Sequence, residues 1–170
     1  MVPSRSVRVY VLQLLVACGS ASPPSVPEGV TRGDLNGGCE VKLAAEPALL
    51  AYVEESAARW SLATGCDVRL ADGGVEFRLA SDLPFGEGGK QVPAWTRDDR
   101  KLVLVHARAR ETQRARSVPH ELGHVLGGLH TLSDGVLSGG KQRRDVIDVE
   151  ALDSVCRVLD CRALNPEDGR

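Results

Sequence analysis

Three of the four histidines in this chain fall within eleven residues, His120-Glu121-Leu122-Gly123-His124-Val125-Leu126-Gly127-Gly128-Leu129-His130, and no other stretch constrains the fold so tightly. On a helix turning by about 100° per residue, His120 and His124 lie about 40° apart on one face, one turn above the other. Two imidazoles so placed can share one ion, and Glu121 beside them reaches a water on that ion rather than the ion itself, the position of a general base. Gly127 then breaks the helix and lets the chain return His130 to the same centre as a third ligand. Three neutral imidazoles with one open position are the donor set of a catalytic zinc site; structural zinc is usually closed by four protein ligands. By chance, a run with all of these spacings arises in roughly one sequence in 10⁵ of this composition.

The rest of the chain says where such a site would work. With 170 residues and a formal net charge of -2, one domain is expected, and nothing in the interspersed charges suggests nucleic acid as a partner. Arg5 and Arg8 precede an apolar run from Val9 to Ala17, too short to cross a bilayer as a mature helix, which reads as an export signal. Its end, Leu15-Val16-Ala17-Cys18, resembles the bacterial lipobox, which implies a signal peptide over residues 1–17, lipidation of Cys18 and a membrane anchor. An ordinary secretory signal with an incidental cysteine is the alternative. Gly19, rather than Asp, after the cysteine implies outer-membrane sorting of an exported lipoprotein of the cell envelope. Residues 18–34 are rich in Ser, Pro and Gly and read as a tether, leaving 35–170 as the domain that carries the histidine run. Cys39, Cys66, Cys156 and Cys161 remain as an even set suited to an oxidising compartment. Of the three possible pairings, Cys39–Cys66 with Cys156–Cys161 is expected; the absence of a Cys-x-x-Cys pair argues against a second metal site.

Glu46 to Thr64 reads as an amphipathic helix, with Leu49, Val53, Ala57 and Trp60 on one face and Gly65 ending it. Val68 and Leu70, then Val75, Phe77 and Leu79, alternate as half-buried strands do, with Asp72-Gly73-Gly74 as the turn between them. Residues 82–100 suggest a long loop with a short strand near Val92, and Lys101 to His106 a further strand ending in a histidine with no assigned role. The polar run from Arg108 to Arg116 places the next helix start at Ser117, as N-cap, with Pro119 tolerated in the first turn and the helix running to about Leu126. Val146, Ile147, Val149, Leu152, Val155 and Val158 form the apolar set of a last helix.

The central run resembles the long motif HExxHxxGxxH of the metzincin metallopeptidases, and the chain is most similar among them to small matrixin-type proteases. That resemblance covers roughly residues 35 to 160 and implies an α+β fold. Its parts are a twisted, mostly parallel sheet, an active-site helix carrying the first two ligands, and a small C-terminal helical subdomain. It implies one catalytic Zn²⁺ on His120, His124 and His130, Glu121 as catalytic base, and a peptide or protein substrate. Lys101 to His106 is placed like the strand bordering the cleft. Two features depart from the family. Leu137, in Gly135-Val136-Leu137-Ser138, stands where a methionine turn should form the floor of the metal site, a swap that nearly keeps volume and apolarity. The approach to Pro119 is basic and polar where the family usually has an apolar lead-in.

Leu137-Ser138-Gly139-Gly140-Lys141-Gln142-Arg143 is similar to the signature loop of ABC-transporter ATPases, but no GxxxxGK[ST] stretch accompanies it, so no nucleotide is expected. Three functions remain: a zinc-dependent metalloendopeptidase hydrolysing peptide bonds, a non-catalytic zinc-binding surface lipoprotein derived from a metallopeptidase fold, or a metal-free lipoprotein adhesin.

Overall fold

The computed structural model describes residues 30–32, 39–84, 91–139, 146–159 and 161. The signal peptide, Cys18, most of the tether and the stretch 140–143 lie outside the described residues. The fold is a mixed α/β unit built on a mostly parallel sheet. In chain order its elements are β1 (Val30–Arg32), β2 (Cys39–Ala45), α1 (Leu50–Thr64), β3 (Asp67–Leu70), β4 (Val75–Ala80), β5 (Ala94–Thr96), β6 (Leu102–His106), α2 (Glu111–Val125) and α3 (Val149–Leu159). β1 falls inside the stretch 18–34 expected to be a tether, so the sheet begins earlier than that boundary.

Strands β2, β4 and β6 run parallel in that spatial order, with β1 antiparallel beside β2 and β5 antiparallel on the outer edge of β6. β3 pairs with β2 in parallel. Leu43 is matched with Leu70 on β3 and with Val75 on β4, so these two strands flank β2 on opposite sides. The Asp72-Gly73-Gly74 segment therefore steps over β2 instead of closing a hairpin. Gly73 has φ of 75°, and a Cβ on Gly74 would collide with the Lys42 backbone, which is the close approach that glycine permits. β2 was not expected from the sequence, although Val41 and Leu43 are both fully buried; its single short alternation is a weak signal on its own.

The expected apolar face of α1 is found: Leu49, Val53 and Trp60 are fully buried, and Ala57 nearly so. The helix itself begins at Leu50, four residues later than expected, because Glu46 to Leu49 form a separate turn in which Leu49 N–H donates to Glu46 O at 2.8 Å. Gly65 ends it at φ 73°, its N–H donating to Ser61 O at 2.9 Å. α1 and α2 pack against one another and the sheet, where Phe77, Val103 and Val105 meet Val118, Leu122, Val125 and Leu126 in one core. Burial of each such side chain stabilises the fold by about 1.5–3 kcal/mol.

Two helix expectations need correction. α2 starts at Glu111, not at Ser117, so Pro119 sits in its interior and Ser117 is a buried helical residue rather than a cap. Gln113 Oε1 accepts the Arg110 N–H at 2.8 Å and fixes the earlier start. Pro119 cannot donate to Ala115 O, but Ala115 lies on an exposed stretch of the helix where water can serve that carbonyl. α3 starts at Val149, so Val146 and Ile147 precede it; Val146 and Val149 are 55% and 80% exposed, while Val155 and Val158 of the expected set are buried, joined by Ala151, Cys156 and Leu159. Asp148 caps this helix, its Oδ1 accepting the Ala151 N–H at 2.9 Å.

Both expected cysteine pairs are present. The parallel register that matches Glu40 with Asp67 brings Cys39 and Cys66 together, with Cα atoms 4.7 Å apart, and Cys156 meets Cys161 at 4.6 Å. Among the described residues no helix is long and apolar enough to cross a membrane.

Candidate metal centre

α2 carries His120 and His124 on its cleft-facing side, and its height relative to α1 is set by a buried hydrogen bond from Trp60 Nε1 to Pro119 O at 3.0 Å. The helix stops at Val125. Gly127, at φ 100°, turns the chain away, with its N–H on His124 O at 3.0 Å and the Gly128 N–H on Gly123 O at 2.9 Å. Val158 of α3 packs so closely on Gly127 that a Cβ there would come within 2.6 Å of its side chain. Leu129 N–H then donates to Ser154 Oγ at 2.7 Å, and the next residue, His130, returns to the helix face.

The three imidazoles meet. The Nε2 atoms of His120 and His124 are 3.1 Å apart, those of His124 and His130 3.1 Å, and those of His120 and His130 3.3 Å. Outer partners fix two of the tautomers. His120 Nδ1–H donates to Val136 O at 2.7 Å and His124 Nδ1–H to Gly128 O at 2.9 Å, which leaves each Nε2 lone pair aimed at the shared centre. Three lone pairs at this spacing repel one another unless a cation draws them together. Nitrogens about 2.0–2.1 Å from a tetrahedral ion stand about 3.3 Å apart, so the triangle has the size that a small divalent ion requires. The trio can therefore hold a metal ion, and it is the group of this kind found among the described residues. Burial is the main reason that His124 is held neutral, with its pKa lowered to about 4, and it lowers that of His130 too.

Glu121 points into the same cleft and is only 7% exposed. Burial raises its pKa, against the pull of a hydrogen bond from Thr96 Oγ1 to Oε2 at 2.6 Å and the nearby His120. Thr96 was missed from the sequence: it lies 25 residues before Glu121, on β5, and only the sheet order brings them together. Leu137 is fully buried under the motif. A Cβ on Gly123 would come within 2.6 Å of Leu137 Cδ2 and 2.8 Å of Trp60 Cζ2, so this glycine is needed for the helix to settle on that floor. The loop bearing Leu137 is tied back by Thr131 N–H to Leu137 O at 2.9 Å and Gly139 N–H to Thr131 O at 3.2 Å.

A cleft of about 610 Å³ runs over the cluster, walled by Trp95 and Thr96 of β5 on one side and Leu129, His130 and Gly139 on the other. β5 is thus the strand bordering the cleft. Lys101 to His106, expected there, is β6, an interior strand paired on both sides with Val103 and Val105 fully buried. His106 stands apart from the cluster; its Nδ1 accepts the Arg108 N–H at 3.0 Å. Cys18 lies outside the described residues. The chain gives no match to protein-family models, to curated proteins or to solved structures, so the site is read from its own geometry.

Proposed function

We propose that this chain is a zinc-dependent metalloendopeptidase of metzincin type, with His120, His124 and His130 as zinc ligands and Glu121 as general base. The observation that carries the reading is the Nε2 triangle with sides of 3.1, 3.1 and 3.3 Å beside a buried, singly hydrogen-bonded carboxylate. The mostly parallel sheet and the two packed helices, the second bearing the first two ligands, agree with it.

His120, His124 and His130 would hold the zinc, which would supply Lewis acidity towards a carbonyl group and water. The chain's own groups do the rest. Glu121 takes the proton of the attacking water and returns it to the leaving amine, and burial lifts its basicity towards that task. Thr96 holds Oε2 and thereby turns the other carboxylate oxygen to the cleft. An extended peptide laid along the free edge of β5 is gripped through main-chain hydrogen bonds. The enzyme works at the cell envelope, tethered through a lipid on Cys18, a placement that the two cysteine pairs support.

Metal analysis of the purified protein, together with a casein-cleavage assay of wild type and Glu121→Gln, tests this. One equivalent of zinc in both proteins is expected, with cleavage at least about 10²-fold slower in the variant, the low end of what a general base contributes. Zinc in both with no cleavage by either would favour the non-catalytic surface module.

A further inference from the structure

The turn joining β5 to β6 carries a residue that the peptidase chemistry leaves unused. Arg97 N–H donates to Leu102 O at 2.9 Å and Arg100 N–H to Arg97 O at 2.7 Å, which closes a tight reversal. At its end Arg100 has φ of 56°, the one non-glycine residue at positive φ among the described residues. In hairpins closed in this way the left-handed position is ordinarily glycine or asparagine, since a Cβ there crowds the backbone. Arginine adds nothing to the turn itself. Strain of this kind persists where the side chain has a use.

The surroundings indicate that use. Arg100 lines the same cleft as His120, Glu121 and His124. Arg97 in the same turn is accounted for: its guanidinium is held by Asp99, whose Oδ1 also accepts the Lys101 N–H at 3.0 Å. Asp98 lines the cleft as well but forms no ion pair with Arg100, and among the described residues no carboxylate is paired with the Arg100 guanidinium. Arg100 is half-buried and lines the cleft, and the planar fork of donors that arginine offers is matched by a carboxylate.

We propose that Arg100 determines specificity by receiving a carboxylate of the bound extended peptide, so that the cleft selects chains bearing an acidic group near the scissile bond. The selection of cleavage sites rests on the peptidase reading; the carboxylate recognition is a property of binding and is tested separately. That carboxylate can come from an Asp or Glu side chain or from a chain terminus, and both place the same two oxygens before the guanidinium.

Binding is measured by fluorescence anisotropy on the full chain loaded with zinc and carrying Glu121→Gln, so that cutting is slow on the time scale of the measurement. The probes are labelled, amidated peptides in which one Glu is moved along a neutral sequence, their Gln counterparts, and a Gln peptide with a free C-terminal acid. A carboxylate-bearing peptide is expected to bind about tenfold more tightly than the all-amide one, an advantage that salt weakens. Arg100→Gly is expected to lose the advantage, and Arg100→Glu to transfer it to a Lys-bearing peptide. Because glycine accepts the left-handed backbone, Arg100→Gly should melt at or above the wild-type temperature, which separates lost recognition from unfolding. Whether the Glu or the free-acid peptide gains tells the source of the carboxylate. Equal binding of all probes, or an advantage that survives in Arg100→Gly, overturns the proposal. Mapping of casein cuts by mass spectrometry distinguishes the two readings. Cuts without acidic bias sink the Arg100 assignment alone. Carboxylate binding through Arg100 with no cut by the wild type sinks the peptidase and leaves the recognition site.

Discussion

The metal cluster draws on two regions built in different ways. His120 and His124 stand on a helix whose other face is core, with Leu122, Val125 and Leu126 fully buried, and each has its second ring nitrogen fixed by a backbone carbonyl. His130 stands on an exposed loop beyond Gly127 and Gly128, where Leu129 beside it is 68% exposed. The helix half is organised by packing and needs no ion to keep its shape. The loop half owes its position to a few backbone hydrogen bonds, to Val158 and Leu137, and to whatever the three imidazoles share. The difference teaches that an ion bound here would complete a half-built site, not assemble one from nothing.

That contrast can be broken most sharply by removing one ligand from each side. His124→Ala and His130→Ala should each cost more than about 100-fold in zinc affinity, since loss of only an outer partner already costs 10–100-fold. They should differ without metal: in chelator, His124→Ala is expected to lower the melting temperature, because its ring also holds Gly128 O, while His130→Ala leaves it unchanged. Equal melting losses would mean that the loop is as much part of the fold as the helix. Next in size, chelation of the wild type should speed amide exchange over residues 129–139 at least about tenfold while α2 stays protected, as read by mass spectrometry; uniform protection would remove the contrast. The smallest effect is expected at the floor beneath both regions, where Leu137→Met should change unfolding free energy by less than about 1.5 kcal/mol in denaturant titration.

The same division runs through what was legible in the sequence. The convergence of His120, His124 and His130 could be read because helical periodicity converts spacing into direction, and the glycine marks where that conversion stops. The buried face of α1 was readable for the same reason, and the even cysteine count pointed to disulfides while leaving three pairings, of which the expected one formed. What escaped depends on contacts between distant segments. Thr96 meets Glu121 only through the order of the sheet, β5 replaces β6 at the cleft because it returns antiparallel, and the Asp72-Gly73-Gly74 turn crosses a strand that was itself unseen. Pro119 misled in a different way: the rule against interior proline assumes a buried or committed carbonyl, and the exposed first turns of α2 do not supply one.

The bond from the Trp60 indole to Pro119 O has a practical corollary. The chain has two tryptophans, one seated behind the ligand helix and one, Trp95, on the open wall of the cleft. Intrinsic emission from this protein is thus a pair of native optical gauges, one reporting from the concealed side of the centre and the other from its mouth. Replacing either indole with phenylalanine isolates the signal of its twin.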